Sequence, residues 1–316
     1  MKKMYKNNSW CWYDFERFNL GGLQEIAAAE PDYDLEYWIK KIQETEANSI
    51  VVNTFKPGAE WVCGSLVFRQ ELADREDNHI FYFFIAKNFM VTSNLEYNLL
   101  GNHKDKKVLN PQMEKAGNAI EGFSVLLGEI MTNSLIKIDP FEEKLDNLLW
   151  KMKEENSTEI LEEIYQSRHE LLVLKRLMIP IREIKIALEE AFAELITDKP
   201  SYRRICLKIE RGFTIIDDYQ TEIDTLINLE EVVSSHRGNE IMKTLTVLTT
   251  LFTPVTALGA IWGMNFKHMP ELDWAYGYLF SFVVIIISTF LLYIILKKKG
   301  WSGDILRGKK KNSFFK

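Results

Sequence analysis

Two long uncharged apolar segments near the C-terminal end constrain this chain more than any other feature. No charged side chain occurs from Thr244 to Trp262 or from Ala275 to Leu296, runs of about 19 and 22 residues. A helix rises 1.5 Å per residue, so about 20 residues cross a hydrocarbon core of about 30 Å. The joining segment, 263–274, holds Lys267, His268, Glu271 and Asp273 and is expected in water at one membrane face. The first segment also has an ordered polar stripe. Steps of three and four residues from Asn239 reach Met242, Thr246, Thr249, Thr253, Thr256, Ala260 and Gly263, while Ile241, Leu245, Leu248, Phe252 and Val255 fall elsewhere. Threonine is common in spans, where its hydroxyl bonds the carbonyl one turn back, and Thr244 and Thr250 lie off the stripe. Four hydroxyls on one stripe suit a helix whose inner face meets water and ions.

The stripe ends at Gly263-Met264-Asn265, followed by Met269-Pro270-Glu271-Leu272, Trp274 and Gly277-Tyr278. In this setting the tripeptide resembles the signature of the CorA family of magnesium transporters. The likeness runs from Asn239-Glu240-Ile241-Met242-Lys243 to Lys297-Lys298-Lys299-Gly300-Trp301, and is one of layout alone further upstream. It implies a funnel-shaped homopentamer with a large cytosolic N-terminal part, conducting Mg²⁺, and also Co²⁺ or Ni²⁺, down the electrochemical gradient. It also implies Gly263, Met264 and Asn265 as the selectivity loop, and Asn239, Met242, Thr246, Thr249, Thr253, Thr256 and Ala260 as pore lining. Mg²⁺ gives up inner-shell water reluctantly, so carbonyl and amide oxygens repeated by symmetry would hold the hydrated ion. Gly263 is expected to end the helix with a positive φ. Lys267, Glu271 and Asp273 set the loop's electrostatics.

Orientation follows from charge. The overall −6 hides a tail, 297–316, with eight basic residues and one aspartate, or +7, leaving −13 for the remainder. Clustered Lys and Arg beside a span mark the cytoplasmic side, so both termini are expected there, with only the 263–274 loop outside. No apolar signal region follows Met1. Cys11, Cys63 and Cys206 are too widely spaced for a metal motif and read as inert thiols. A mean hydropathy of −0.15 makes most of the mass water-facing.

The rest of the chain is organised as an α+β cytosolic domain followed by long helices and the two-helix membrane hairpin. The divisions are 1–110 (α/β), 111–200 (helical), 201–243 (stalk), 244–262 and 275–296 (spans), 263–274 (loop) and 297–316 (tail). Strands are predicted at Ser49–Phe55, Trp61–Phe68, Ile80–Ile85 and Phe89–Thr92, with the last two as a hairpin, after a helix at Pro31–Glu46. Helices are predicted at Gln112–Met131, Phe141–Lys153 and Thr158–Leu195, the last kinked at Pro180. A final helix from near Tyr202 runs unbroken to Trp262, with Pro254 able to bend it. Projected down this stalk, the stripe continues through Ser235, Val232, Asn228, Thr225, Thr221, Asp218 and Thr214.

No Walker loop, zinc-protease motif, nucleophile elbow or dinucleotide fingerprint is present, so neither a pump nor an enzyme is expected. No cofactor or nucleic-acid partner is expected; the partners are copies of the chain, the bilayer and divalent cations. The family resemblance implies that intracellular Mg²⁺ also closes the pore through carboxylates between cytosolic domains. Near the stalk's expected position this chain has Arg203-Arg204, which cannot ligate Mg²⁺. The remaining candidates for a regulatory ion are Glu76 and Asp77 and, across an alignment gap, Glu210 or Asp217-Asp218. Two other readings stand beside Mg²⁺ transport: zinc transport of the ZntB type, which the methionine of the tripeptide disfavours, and a membrane-anchored scaffold or sensor, which the aligned threonines disfavour.

Overall fold

The computed structural model describes residues 2–5, 9–70, 78–97, 110–154, 158–264, 267, 269–270 and 274–301. They fall into two compact units, 1–147 with 162–224, and 148–161 with 225–316.

The first unit is built on a six-stranded sheet. Its strands are β1 (Lys2–Tyr5), β2 (Trp10–Phe15), β3 (Ser49–Asn53), β4 (Trp61–Gln70), β5 (Asn78–Ala86) and β6 (Phe89–Ser93), in the spatial order β1-β2-β6-β5-β4-β3. Every pairing is antiparallel except β2 with β6. The expected β5–β6 hairpin is present, pairing Ile85 with Met90.

Helices cover both faces of the sheet. Cys11, Tyr13, Cys63, Phe84 and Val91 meet α1 (Leu20–Ala29) and α2 (Leu35–Glu44) through Leu23, Ile26 and Trp38. On the other face, Phe83 lies 5.0 Å from Phe123 of α4 (Ala119–Ile138), ring centre to ring centre, and Trp10 Nε1 donates to Ala116 O at 3.0 Å. A strand buried on both faces needs apolar side chains at successive positions, which accounts for the run Phe81-Tyr82-Phe83-Phe84.

A short α3 (Asn110–Met113) precedes α4, and α5 (Phe141–Glu154) follows it. The single helix expected over Gln112–Met131 is therefore two. Asn118 ends the interruption as an N-cap, accepting from Glu121 N at 2.8 Å. The next helix, α6 (Thr158–Ile196), keeps Pro180 inside it. The kink expected at Pro180 lies instead at Phe192, whose φ of −137° is outside the helical range.

Helix α7 (Pro200–Trp262) has 63 residues and contributes to both units. Within the first unit α6 and α7 run antiparallel. Arg168 pairs with Asp224 at 3.0 Å, Lys175 with Asp217 at 2.7 Å, and Arg182 lies over Phe213 at 4.2 Å. Tyr202 Oη donates to Lys185 O at 3.2 Å. Gly212 sits where α4, α6 and α7 meet: a Cβ there would lie 2.4 Å from Met131 Cε and 2.5 Å from Met178 Cε. The second unit holds the remainder of α7 and α8 (Gly277–Lys298).

Three runs among the described residues are long and apolar enough to cross a bilayer: Ala119–Met152, α7 and α8. Burial separates them. The most apolar window of the first is 78 % buried against the protein, whereas those of α7 and α8 are each 6 % buried. The first run is core, and the apolar windows of the other two are left mostly uncovered by the described residues. Trp274, Tyr276, Tyr278 and Phe280 gather at the start of α8, with Trp274 and Phe280 at 5.6 Å, as an aromatic girdle at a membrane interface would require.

Candidate functional site

The stripe on α7 faces away from the protein. Asn239, Met242, Thr249, Thr253, Thr256 and Ala260 are exposed and Thr246 is half-buried. The shielded side of the same helix carries Val247, Thr250, Leu251, Pro254 and Leu258. Ile241, Leu245, Leu248, Phe252 and Val255 flank the stripe and are also exposed, so an apolar phase or further copies of the chain must cover them. Further down α7, Thr214, Asp218, Thr221, Thr225, Asn228, Val232 and Ser235 are all exposed, while Phe213, Ile216, Ile223 and Leu226 are buried.

Hydrogen bonding gives the threonines a definite polarity. Thr246 donates to Met242 O at 2.7 Å, Thr253 to Thr249 O at 2.8 Å and Thr256 to Phe252 O at 3.0 Å. Thr249 divides its donor between Leu245 O and Thr246 O, both at 3.0 Å. A hydroxyl has one donor and two acceptor lone pairs. With every donor turned back into the helix, the stripe presents acceptors outward. The off-stripe hydroxyls of Thr244 and Thr250 bond in the same way, at 2.9 Å to Glu240 O and 2.7 Å to Thr246 O. The bond is thus what any span threonine makes, and alignment on one stripe, exposed at all but Thr246, is what distinguishes the four.

At the top of the stripe α7 ends at Trp262. Gly263 N donates to Gly259 O at 3.0 Å and Met264 N to Ile261 O at 3.3 Å, so the last turn tightens. The positive φ expected at Gly263 is absent; among the described glycines it occurs at Gly58 and Gly300. A Cβ at 263 would lie 3.0 Å from Gly259 O, a tight approach that asks the carbonyl to give by a few tenths of an ångström. Met264 and Lys267 are exposed. Asn265, Glu271 and Asp273 lie outside the described residues.

The candidates for a regulatory ion are Glu76, Asp77, Glu210, Asp217 and Asp218. Glu76 and Asp77 lie outside the described residues. Asp217 is held by Lys175 at 2.7 Å, and Asp218 lines an open groove with Glu142, Asp146 and Glu222. Arg203 and Glu210 are exposed on α7. No group of three or more His, Cys, Asp or Glu side chains among the described residues is placed to hold a metal. The cysteines are unpaired, and burial pushes the Cys63 thiol up to about 12, well away from a reactive thiolate.

The family model described as CorA-like Mg²⁺ transporter protein matches residues 7–298. The chain belongs to that family. It is 44 % identical over 313 residues to the magnesium transport protein CorA of Bacillus subtilis, covering 98 % of this chain and 96 % of the relative. The solved CorA magnesium transporter of Methanocaldococcus jannaschii superposes with a TM-score of 0.66 at 16 % identity, covering 95 % and 93 % of the two chains. The cytoplasmic domain of ZntB from Vibrio parahaemolyticus superposes at 0.51 and 15 % identity over 72 % of this chain and 88 % of that one, a likeness of fold alone. A CorA-type chain with two unburied apolar helices is a membrane protein.

Proposed function

We propose that this chain conducts Mg²⁺ across a cell membrane as a homo-oligomer, taken to be a pentamer, with the α7 stripe lining the pore and Gly263-Met264-Asn265 at its mouth. The observation that carries the reading is the exposed stripe of hydroxyls whose donors are spent on the helix. The outer face of a hydrated cation consists of water O–H donors, so a wall of acceptors matches it without removing its first shell. Neutral hydroxyls also release the ion more readily than a carboxylate ring, which suits passage over storage. Symmetry copies would cover the apolar flanks of the stripe, and lipid would cover α8.

Both termini are assigned to the cytosol and the 263–274 loop to the outside, because the basic run beginning at Lys297 follows α8 directly. A cysteine introduced at Ser302 should stay unlabelled by a membrane-impermeant thiol reagent in intact cells; labelling would reverse the orientation.

The conduction reading is tested by Thr253→Val beside Thr250→Val. Each loses a hydroxyl of similar bonding, but only the first lies on the stripe. Mg²⁺ uptake should fall several-fold in the first and match wild type in the second. Equal effects would remove the stripe from the conduction path.

A further inference from the structure

A second site lies in the first unit, where the opening turn of α7 and the flank of α4 enclose a cavity of about 330 Å³. That volume is within the range of small-molecule sites. Its inner wall is polar although buried. Glu121 is 7 % exposed and Ser124 1 % exposed. Ser124 Oγ donates to Ile120 O at 2.9 Å and retains its acceptor lone pairs. Among the described residues Glu121 reaches Ser201 Oγ at 3.5 Å and Lys199 Nζ at 3.7 Å, both long for a charged group taken out of water.

Basic side chains line the same cavity. Arg204 and Lys115 line the cavity, and neither side chain has an ion-pair partner among the described residues. Lys208 is fixed there by bonds to Gly128 O at 3.0 Å and Thr132 Oγ1 at 2.6 Å, and desolvation pulls its pKa below the ordinary lysine value.

Neither a bare anion nor a bare cation satisfies both the buried carboxylate and the basic side chains. An inorganic anion would leave the Glu121 carboxylate facing negative charge, and a metal ion would face a guanidinium and two ammonium groups. One molecule that does satisfy them carries a doubly charged phosphate at one end and hydroxyl donors at the other. A guanidinium fork suits phosphate oxygens, and a buried carboxylate suits hydroxyl donors. We infer that this pocket binds a small polyhydroxylated phosphate monoester of sugar-phosphate size. Its phosphate would lie on Arg204 and Lys115, with its hydroxyls on Glu121 and Ser124.

Thermal unfolding of the full-length protein in detergent, titrated with ribose 5-phosphate, free ribose and inorganic phosphate, tests the assignment. Ribose 5-phosphate should raise the melting temperature saturably. Free ribose should have no effect, and inorganic phosphate should bind roughly tenfold or more weakly. The double variant Lys115→Ala, Arg204→Ala alters exposed side chains and should keep its helical circular dichroism while losing about tenfold or more in affinity for ribose 5-phosphate. Glu121→Gln should weaken ribose 5-phosphate more than inorganic phosphate. No saturable shift in the wild type, or an undiminished one in the double variant, would overturn the site. Equal affinity for inorganic phosphate and ribose 5-phosphate would overturn the ligand class. The readout is binding alone, so it stands or falls apart from Mg²⁺ conduction.

Discussion

Helix α4 and the C-terminal part of α7 are alike in composition and opposite in circumstance. Both are apolar enough to cross a bilayer, yet α4 meets protein on nearly every side, with Ile120, Phe123, Leu127 and Met131 buried, while Leu248, Phe252 and Ile261 of α7 stand exposed. Hydropathy alone does not tell a core helix from a span. Whether the rest of the chain supplies a partner decides it, and for α4 that partner is the aromatic face of the sheet, with Phe83 against Phe123. For the exposed faces of α7's C-terminal part and of α8 the partner must be lipid or other copies of the chain.

The largest test of this contrast is a pair of truncations. Phe84 is fully buried, with the rings of Trp61, Trp38 and Phe89 at 5.2, 5.8 and 5.9 Å. Phe84→Ala should cost about 3–5 kcal/mol by opening a cavity. Phe252 is 59 % exposed on α7 and flanks the stripe. Phe252→Ala should change the unfolding midpoint of the first unit by no more than about 0.5 kcal/mol. Comparable losses would mean that the two regions fold as one cooperative body.

A second effect is confined to the first unit. Burial raises Cys63 from 9.0 to about 12 and Tyr5 from 10.0 to about 12. A group whose pKa is raised on folding holds its proton longer in the native state, so its contribution is complete below the unfolded value and lost as pH rises through the folded one. The sheet unit should therefore lose stability between about pH 9 and 12, read by near-ultraviolet circular dichroism, and Cys63→Ala should flatten the decline. A profile unchanged by that substitution would contradict the assignment to Cys63.

The smallest expected effect concerns Mg²⁺ as a regulatory ion. Asp217 is already paired with Lys175, and Arg203-Arg204 occupies the stalk near the place where the family resemblance puts a ligand. Millimolar Mg²⁺ should shift the melting temperature only slightly, since a ligand stabilises through its occupancy of the folded state. A large saturable rise, lost when Glu76 and Asp77 are replaced, would show that a sensor is retained.

The parts legible in the sequence were those with local punctuation. Strands β3 to β6 are β-branched or aromatic runs bounded by Pro57-Gly58 and Ala86-Lys87-Asn88, and the helix of 63 residues follows from the absence of proline between Tyr202 and the first span. Strands β1 and β2 and helix α1 escaped the reading. Trp10 to Phe15 packs on both faces and so shows no alternation, and Gly21-Gly22 weakens the helical pattern of α1. Pro180 failed as a kink signal because the helix continued through it and broke at Phe192. The stripe was legible because one helix carries all of it. The pocket of Arg204, Lys115 and Glu121 was not, since packing of sequence-distant helices creates it.

Mg²⁺ flux into liposomes holding the purified protein, with Asn265→Ala measured beside the wild type, tests the central claim most directly. Wild-type protein should admit Mg²⁺ down an imposed gradient, and Asn265→Ala should abolish that flux while assembling like the wild type. Absence of wild-type flux would contradict conduction itself, and unchanged flux through Asn265→Ala would contradict the place of Gly263-Met264-Asn265 as the selecting mouth.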